Sequence, residues 1–198
     1  MCTGKCSKVI AVPLYVMALV SVVCNIMLFF PGWSTEYAKL DGDEARLTEE
    51  VKYMGGLIGG GIMILVPAIH IHLTSSQGCC ANPLGMFLSI GFAAVGVAGA
   101  LYNLAVAALG LSNGPLCLWS NAGHPIPKWG TPFANNNGSY LGDRDSWAWC
   151  KEPENVVEFN VGLFSTLLVA GSLELILCAV QMVNGLFGCL CGTCGGKE

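Results

Sequence analysis

Four apolar stretches govern what this chain can fold into. They run roughly over Val9–Phe30, Tyr53–Leu73, Met86–Leu111 and Val161–Gly188, and a helix over each is long enough to cross a bilayer core of about 30 Å. In hydrocarbon every backbone polar group must be paired within the protein, which selects helices for segments of this kind. The expected fold is therefore an all-α membrane protein, a four-transmembrane-helix bundle occupying residues 1–198 as one domain. Only residues 112–160, between the third and fourth spans, are long enough for a separate extramembrane subdomain. Function has to be sought in the outer loops, in polar groups within the bundle, and in the cysteines at its rims.

The composition agrees: 54% of residues are hydrophobic and 11% charged, against about a quarter charged in soluble domains. A formal charge of -4 and the absence of any Lys/Arg run exclude nucleic acid as a partner and give no polybasic patch for anionic lipid. The first apolar run follows Lys5 and Lys8 and exceeds twenty residues. A cleaved signal peptide has an apolar region of about 7 to 15 residues, so this run is expected to be a retained anchor. The raw Lys/Arg count points the other way, since Lys39, Arg46, Lys52, Lys128, Arg144 and Lys151 lie in the outer loops against Lys5, Lys8 and Lys197; the bias is weighted toward residues close to the first span, where Lys5 and Lys8 put the N-terminus in the cytosol, and four crossings return the C-terminus to the same side. Asn137-Gly138-Ser139 is a glycosylation acceptor in the long loop, usable only where that loop is lumenal and then extracellular.

Cysteine placement sharpens the topology. Cys2, Cys6, Cys79, Cys80, Cys189, Cys191 and Cys194 fall at one rim, whereas Cys117 and Cys150 are the only two in the long loop. A lone pair in an oxidising compartment favours a disulfide. Closing the loop in this way stabilises the fold by about 3 to 4 kcal/mol on the chain-entropy model. The seven rim cysteines, facing a reducing cytosol, are the expected S-palmitoylation sites. Zinc is the rival reading, since Cys191-x-x-Cys194 supplies half a tetrahedral site, but a single such motif is weak and no metal centre is expected.

Within the spans, Gly55, Gly56, Gly59, Gly60 and Gly61 build overlapping GxxxG patterns, and Gly96 with Ala100 makes a further small-xxx-small pair. Small residues let helix backbones approach where lipid provides no hydrophobic drive for association. Packing within the four helices is favoured over homo-oligomer formation. Thr48, followed by Glu49 and Glu50, is placed to cap and charge the start of span two, and Pro13 and Pro67 to bend their helices. Glu174 lies near the middle of span four, where an ionised carboxylate facing lipid is implausible. It must be protonated or face interior polar groups; Asn25 and Asn103 are the candidate partners by depth. Gln181 and Asn184, with His70 and His72, form a second polar level nearer the cytosol. The readings of this polar set are interhelical hydrogen bonding, a pocket for a sterol or lipid head group, or a proton or ion path.

The motifs Met1-Cys2-Thr3-Gly4-Lys5-Cys6, Asn25 with Phe30-Pro31, Gly55-Gly56 through Gly61-Ile62-Met63 to Pro67-Ala68, Asn113-Gly114-Pro115-Leu116-Cys117, Glu152-Pro153, Leu163-Phe164-Ser165 and Val183-Asn184-Gly185 with Cys191 and Cys194 together resemble the L-six branch of the transmembrane four superfamily. The resemblance covers nearly the whole chain in order. It implies a tetraspanin-like glycoprotein of the plasma membrane and the endosomal or lysosomal system, with integrins, growth-factor receptors or tetraspanins as partners in adhesion, migration and proliferation, and it supports palmitoylation. Tetraspanins themselves carry a Cys-Cys-Gly motif and at least four cysteines in the large loop, whereas this loop has two and Cys79-Cys80 sits in the short loop. Family members often place a glycosylation acceptor near Asn160; Gly162 removes it here, leaving Asn137. By analogy with the tetraspanin cavity, Glu174 with Asn25 is the expected place for cholesterol.

The function expected is that of a non-enzymatic membrane organiser that recruits partners laterally through its helices and outer loop. Trp119, Trp129, Trp147 and Trp149 are expected to serve as loop core and interface anchors more than as a contact face. The enzyme alternative, a thiol oxidoreductase using Cys191 and Cys194, puts its motif at the wrong end of the helix for quinone-coupled chemistry. The sequence presents no Ser-His-Asp arrangement or phosphate loop, so no cofactor is expected beyond a bound sterol or lipid.

Overall fold

The computed structural model describes residues 3–33, 40–41, 44–45, 47–76, 83–121, 123–135 and 138–194. Helix α1 covers Thr3–Leu28. The second span is composite: a single turn α2, Glu49–Lys52, a π-helical segment Gly55–Ile62 and α3, Met63–Ser76. Helices α4, Pro83–Asn113, and α5, Val156–Cys194, complete a bundle in which four apolar segments, Val9–Leu28, Glu49–Leu73, Phe87–Asn113 and Val156–Phe187, are long enough to cross a membrane. Spans two and four thus begin four and five residues earlier than hydropathy predicts. The reason is that Glu50 and Asn160 are buried polar residues which a hydropathy window counts against a span.

Each helix buries a seam with alternating spacing of three and four. On α1 the seam is Ala11, Leu14, Ala18, Ser21, Asn25 and Leu28; on α4 it is Ala93, Gly96, Ala100, Asn103, Ala107 and Gly110; on α5 it is Val157, Asn160, Phe164, Leu167, Gly171, Glu174, Cys178 and Gln181. A mean repeat of 3.5 residues, shorter than the 3.6 of a straight helix, gives left-handed packing like that of coiled coils. The opposite faces carry large aliphatic side chains, such as Val12, Val16, Leu19, Val23 and Ile26 on α1 and Val169, Leu173, Ile176 and Val180 on α5. Since lipid solvates these as well as protein does, size is spent outside and small or polar groups are kept inside.

Helices α4 and α5 run antiparallel in a constant register. A Cβ added at Gly110 would touch Phe164, one at Gly171 would touch Asn103, and one at Gly96 would touch Cys178. The glycines predicted to pack do so within the chain: Gly55 lies against Val106, Gly56 against Leu167 and the Ser21 carbonyl, Gly59 against Gly99 and Asn103, and Gly60 against Asn103 and Ser21. These positions are consumed by intramolecular contacts.

Between α4 and α5 stands the outer subdomain. Strands β3 (Cys117–Asn121), β4 (His124–Gly130) and β5 (Cys150–Glu152) form an antiparallel sheet in the order β4-β3-β5; a separate ribbon pairs β1 (Leu40–Asp41) with β2 (Glu44–Ala45). The Cys117–Cys150 disulfide forms as expected, with Cα atoms 5.5 Å apart. Its core contains Cys117, Phe133, Tyr140, Val156 and Val157, with Trp119, Trp147 and Trp149 packed against it; Phe133 stacks on Tyr140 at 4.5 Å. Three of the four loop tryptophans therefore serve the loop's own core, as predicted. Cys150, Val156 and the start of α5 are at this end. Cys194 lies 38 residues further along the same helix than Val156, or about 57 Å at a rise of ~1.5 Å per residue.

Candidate functional site: an intramembrane polar layer and its outer clamp

Glu174 lies 18 residues after Val156 and 13 before Phe187, placing it about 27 and 20 Å from the two ends of its span. Its side chain is completely buried. Ser21 on α1 donates a hydrogen bond to Glu174 Oε1 at 3.0 Å, and Asn103 on α4 interacts with the same carboxyl group. Asn103 Nδ2 donates weakly to the Leu167 carbonyl on α5 at 3.4 Å. Neither Glu174 Oε2 nor Asn103 Oδ1 has a hydrogen-bond partner within the protein. Span two contributes only backbone here, through Gly60, where a Cβ would sit 2.7 Å from Asn103 Nδ2 and 2.8 Å from Ser21 Oγ. The layer thus joins all four helices and leaves no space for a methyl group on that side.

The expected partners of Glu174 are sorted differently by the fold. Asn103 is beside it, but Asn25 sits one turn outward on α1 and accepts the Leu57 amide at 2.7 Å. That amide needs a partner because span two is broken just before it. Met54 adopts the left-handed conformation, φ 51 and ψ 37, between α2 and the π segment, which interrupts the regular helical ladder. The other side of the break is covered from α4, where the Tyr102 hydroxyl donates to the Tyr53 carbonyl at 2.7 Å. An unpaired amide or carbonyl at membrane depth costs several kcal/mol, so Asn25 and Tyr102 are what allow the break to exist. Ser21 and Tyr102 escaped sequence reasoning, because a serine or tyrosine in an apolar helix reads as part of the apolar face; their fixed spacing from Asn25 and Asn103 is the signal that marks them.

Nearer the other end, Gln181 Nε2 donates to Ser89 Oγ at 3.4 Å, His72 meets Tyr15 edge-on with centroids 6.1 Å apart, and His70 packs on Phe92 at 4.6 Å. The predicted second polar level is spread over separate pairs. Cys24 and Cys178, both buried free thiols, belong to the bundle core. Cys6 lies in α1, and Cys189, Cys191 and Cys194 lie in the last turns of α5. The contact of Ser21 with Glu174 brings the start of α1 and the end of α5 to the same end of the bundle, opposite the disulfide. Cys2, Cys79, Cys80 and Asn137 are outside the described residues. Among the described residues no group of three or more His, Cys, Asp or Glu is placed to hold a metal ion.

The outer end is clamped to the bundle. Thr48 occupies the expected position before α2, but its hydroxyl makes no helix cap; it accepts the Leu116 amide at 3.2 Å. Glu50, buried rather than a solvated helix-start charge, accepts from Asn113 Nδ2 at 2.5 Å. The Tyr140 hydroxyl donates to the Leu111 carbonyl at 2.8 Å, and Trp147 Nε1 to the Tyr140 carbonyl at 2.8 Å. Burial pushes the Tyr140 phenol up to about 12. Thr48 and Glu50 fasten span two to the α4 end and the strand that follows, so the outer subdomain and the break at Met54 are mechanically continuous.

Comparison with known proteins supports the architecture. The family model described as L6 membrane protein matches residues 1–195. Transmembrane 4 L6 family member 4 from Rattus norvegicus is 41% identical over 202 residues, covering 98% of this chain and 94% of the relative. Member 1 from Homo sapiens is likewise 41% identical, over 98% of this chain and 96% of its own; member 5 from Homo sapiens is 39% identical over 100% and 98%. No solved structure matches. With four membrane-length helices, a disulfide-linked outer subdomain and a family model spanning almost every residue, the chain belongs to the L6 membrane protein family, a tetraspanin-like group of multi-pass membrane proteins.

Proposed function

We propose that the protein is a non-enzymatic organiser of the plasma membrane that associates laterally with receptors, integrins or tetraspanins and modulates adhesion, migration, proliferation or trafficking. The observation that carries this reading is the clamp: a disulfide-closed outer subdomain held on the bundle by Glu50–Asn113, Thr48–Leu116 and Tyr140–Leu111. Such a unit presents a fixed extracellular face, including Ile126 at 79% exposure on β4, above a bundle whose polar groups are turned inward. The cysteine-rich end is proposed to be cytosolic and palmitoylated at some of Cys2, Cys6, Cys79, Cys80, Cys189, Cys191 and Cys194, with Asn137 glycosylated on the outer side. The same disposition argues against the oxidoreductase reading, because Cys191 and Cys194 lie at the opposite end of α5 from the oxidised pair. The tight closure around Glu174 favours helix locking over a sterol pocket at that depth.

Proximity labelling in intact cells tests the proposal. A tag on the full chain is expected to enrich adhesion proteins and receptors, and an all-serine variant of the seven rim cysteines to change that set while keeping surface delivery. A labelled set that is indistinguishable from that of an unrelated four-pass protein would contradict the organiser reading.

A further inference from the structure

Among the described residues no large apolar side chain is more exposed than Ile126, at 79%. The other exposed ones, Leu141 apart, belong to the membrane-length helices, where lipid covers them; Ile126 stands on the outer subdomain. Its presentation is built into the chain. Trp119 pairs with Lys128 and Asn121 with His124, so Pro125, Ile126 and Pro127 stand opposite the single residue Ser120 as a bulge in β4. Bulges re-aim a side chain, and the two prolines fix φ on either side, so Ile126 has little freedom left to lose on binding. The same prolines lack the N–H that a further strand would need, which makes β4, an edge of the order β4-β3-β5, unsuited to strand addition. Contact at this edge has to be made by side chains.

The opposite edge carries a matching hollow. A cavity of about 230 Å³ is lined by Trp147, Ala148, Cys150, Val156 and Val157, with Asn155 and Glu158 as its polar members; one liquid water occupies roughly 30 Å³, so a four-carbon side chain fits. Trp119 pairs with Lys128 on one side and with Cys150 on the other. Lys128, Trp119 and Cys150 therefore form one row across the sheet, its ends about 10 Å apart. Strand β3 starts four residues after α4 ends, and β5 ends four residues before α5 starts, so the strands run out from the bundle and the row runs across it. The knob, two residues from Lys128, and the cavity, at Cys150, thus lie near one level on opposite edges. Charge follows the same division. Residues 114–142 carry Lys128 and no Asp or Glu, whereas residues 143–158 carry Asp143, Asp145, Glu152, Glu154 and Glu158 against Arg144 and Lys151.

We infer that the outer subdomain binds a second copy of this chain, the Ile126 knob of one copy seated in the cavity between Cys150 and Glu158 of the next, with Lys128 brought toward its acidic residues. Copies in one bilayer share one orientation, so a shift along the row brings the two edges together without inversion. The contact uses different surfaces on the two copies, and such head-to-tail contacts continue into chains or rings instead of stopping at a dimer. One knob per contact makes a small, weak interface; confinement of both copies to the membrane supplies the effective concentration it needs. The contact is independent of which other proteins the chain gathers.

Two differently tagged full-length copies, coexpressed at matched surface density, test the contact. With an aliphatic diazirine amino acid of similar size in place of Ile126, light is expected to join that position to the peptide 147–158 of the copy bearing the other tag. Energy transfer between fluorophores on the two tags should exceed that of an unrelated four-pass protein at equal density, and Ile126→Asp, which alters an exposed side chain, should lower it to that level. Ala148→Trp, which fills the cavity, should do the same alone. Pairing Ile126→Asp on one tag with Ala148→Trp on the other should restore transfer, since one variant keeps the cavity and the other the knob. No adduct, an adduct to any other peptide or protein, or transfer that Ile126→Asp leaves unchanged would overturn the proposal. Should Ala148→Trp not reach the surface, the adduct and Ile126→Asp decide.

Discussion

Gly59 and Gly99 pack backbone against backbone where span two meets α4, and replacing either tests whether that approach is what sets the helix spacing. A Cβ at Gly59 would lie 2.5 Å from the Gly99 carbonyl oxygen and 3.0 Å from the Asn103 amide nitrogen; one at Gly99 would lie 2.5 Å from Met63 Cβ and 2.7 Å from the Gly59 carbonyl oxygen. These are mainly backbone atoms, which no rotamer change can move. Ordinary non-bonded contact needs about 3.5 Å, so Gly59→Ala must part span two from α4 by roughly 1 Å. Overpacking of this kind costs about 1 to 3 kcal/mol, offset by up to about 1 kcal/mol of helix propensity gained by replacing glycine. A net loss of about 1 to 2 kcal/mol shifts the unfolding equilibrium roughly 5- to 30-fold and lowers Tm by about 2 to 8 °C for a chain of this size. The buried thiols of Cys24 and Cys178 supply the assay: with the rim cysteines changed to serine, a thiol-reactive dye reports thermal opening of the bundle. Gly91, where an added Cβ meets nothing within 4 Å, is the control, and Gly91→Ala is expected to open at or above the reference temperature. The double variant Gly59→Ala/Gly99→Ala is expected to cost less than the sum of its parts, because helices already separated for one methyl accommodate the second. Equal melting of Gly59→Ala and Gly91→Ala, or strict additivity in the double variant, would refute the close-approach argument.

Cys117→Ser should cost about 3 to 4 kcal/mol through the loop of 33 residues it reopens, collapsing the outer subdomain; loss of surface delivery and a changed mobility on non-reducing gels are the readouts. Asn25→Ala strands the Leu57 amide at the break in span two and should destabilise the bundle by about 1 to 3 kcal/mol, seen as earlier dye uptake by Cys24. Tyr140 is held above its unfolded value, at about 12 against 10.0, so its contribution to the subdomain is fully present below pH ~10 and is lost as the pH rises toward ~12. Phenolate absorbance in wild type minus Tyr140→Phe should therefore appear only near the upper value, together with loss of tryptophan signal from the subdomain.

Much of this architecture is written in residue size and spacing. Apolar length gave the four crossings, and the lone pair Cys117 and Cys150 gave the bridge. The glycines of span two read correctly as contact surfaces within the chain, because only a small residue lets two backbones meet in lipid. What hydropathy hid was the composite nature of span two. A helix break has no apolar signature, and the groups that make it tolerable, Asn25 and Tyr102, come from other helices. Thr48 and Glu50 show the same limit: their local pattern is that of a helix start, but Asn113 and the Leu116 amide, more than sixty residues away, claim both side chains. Partner choice within the polar layer was likewise a matter of depth resolved to one turn, which separates Ser21 from Asn25 and which sequence spacing alone does not fix across antiparallel helices.

The most direct test is a topology map of the intact protein in cells, with epitope tags at each terminus and a third inserted beside Gly138 in the outer loop. Antibody in the medium should reach the loop tag on unpermeabilised cells, and the two terminal tags only after permeabilisation, since the disulfide end and the cysteine-rich end lie at opposite ends of the bundle. A terminal tag and the loop tag both reachable without permeabilisation would contradict the four-crossing arrangement on which the account stands.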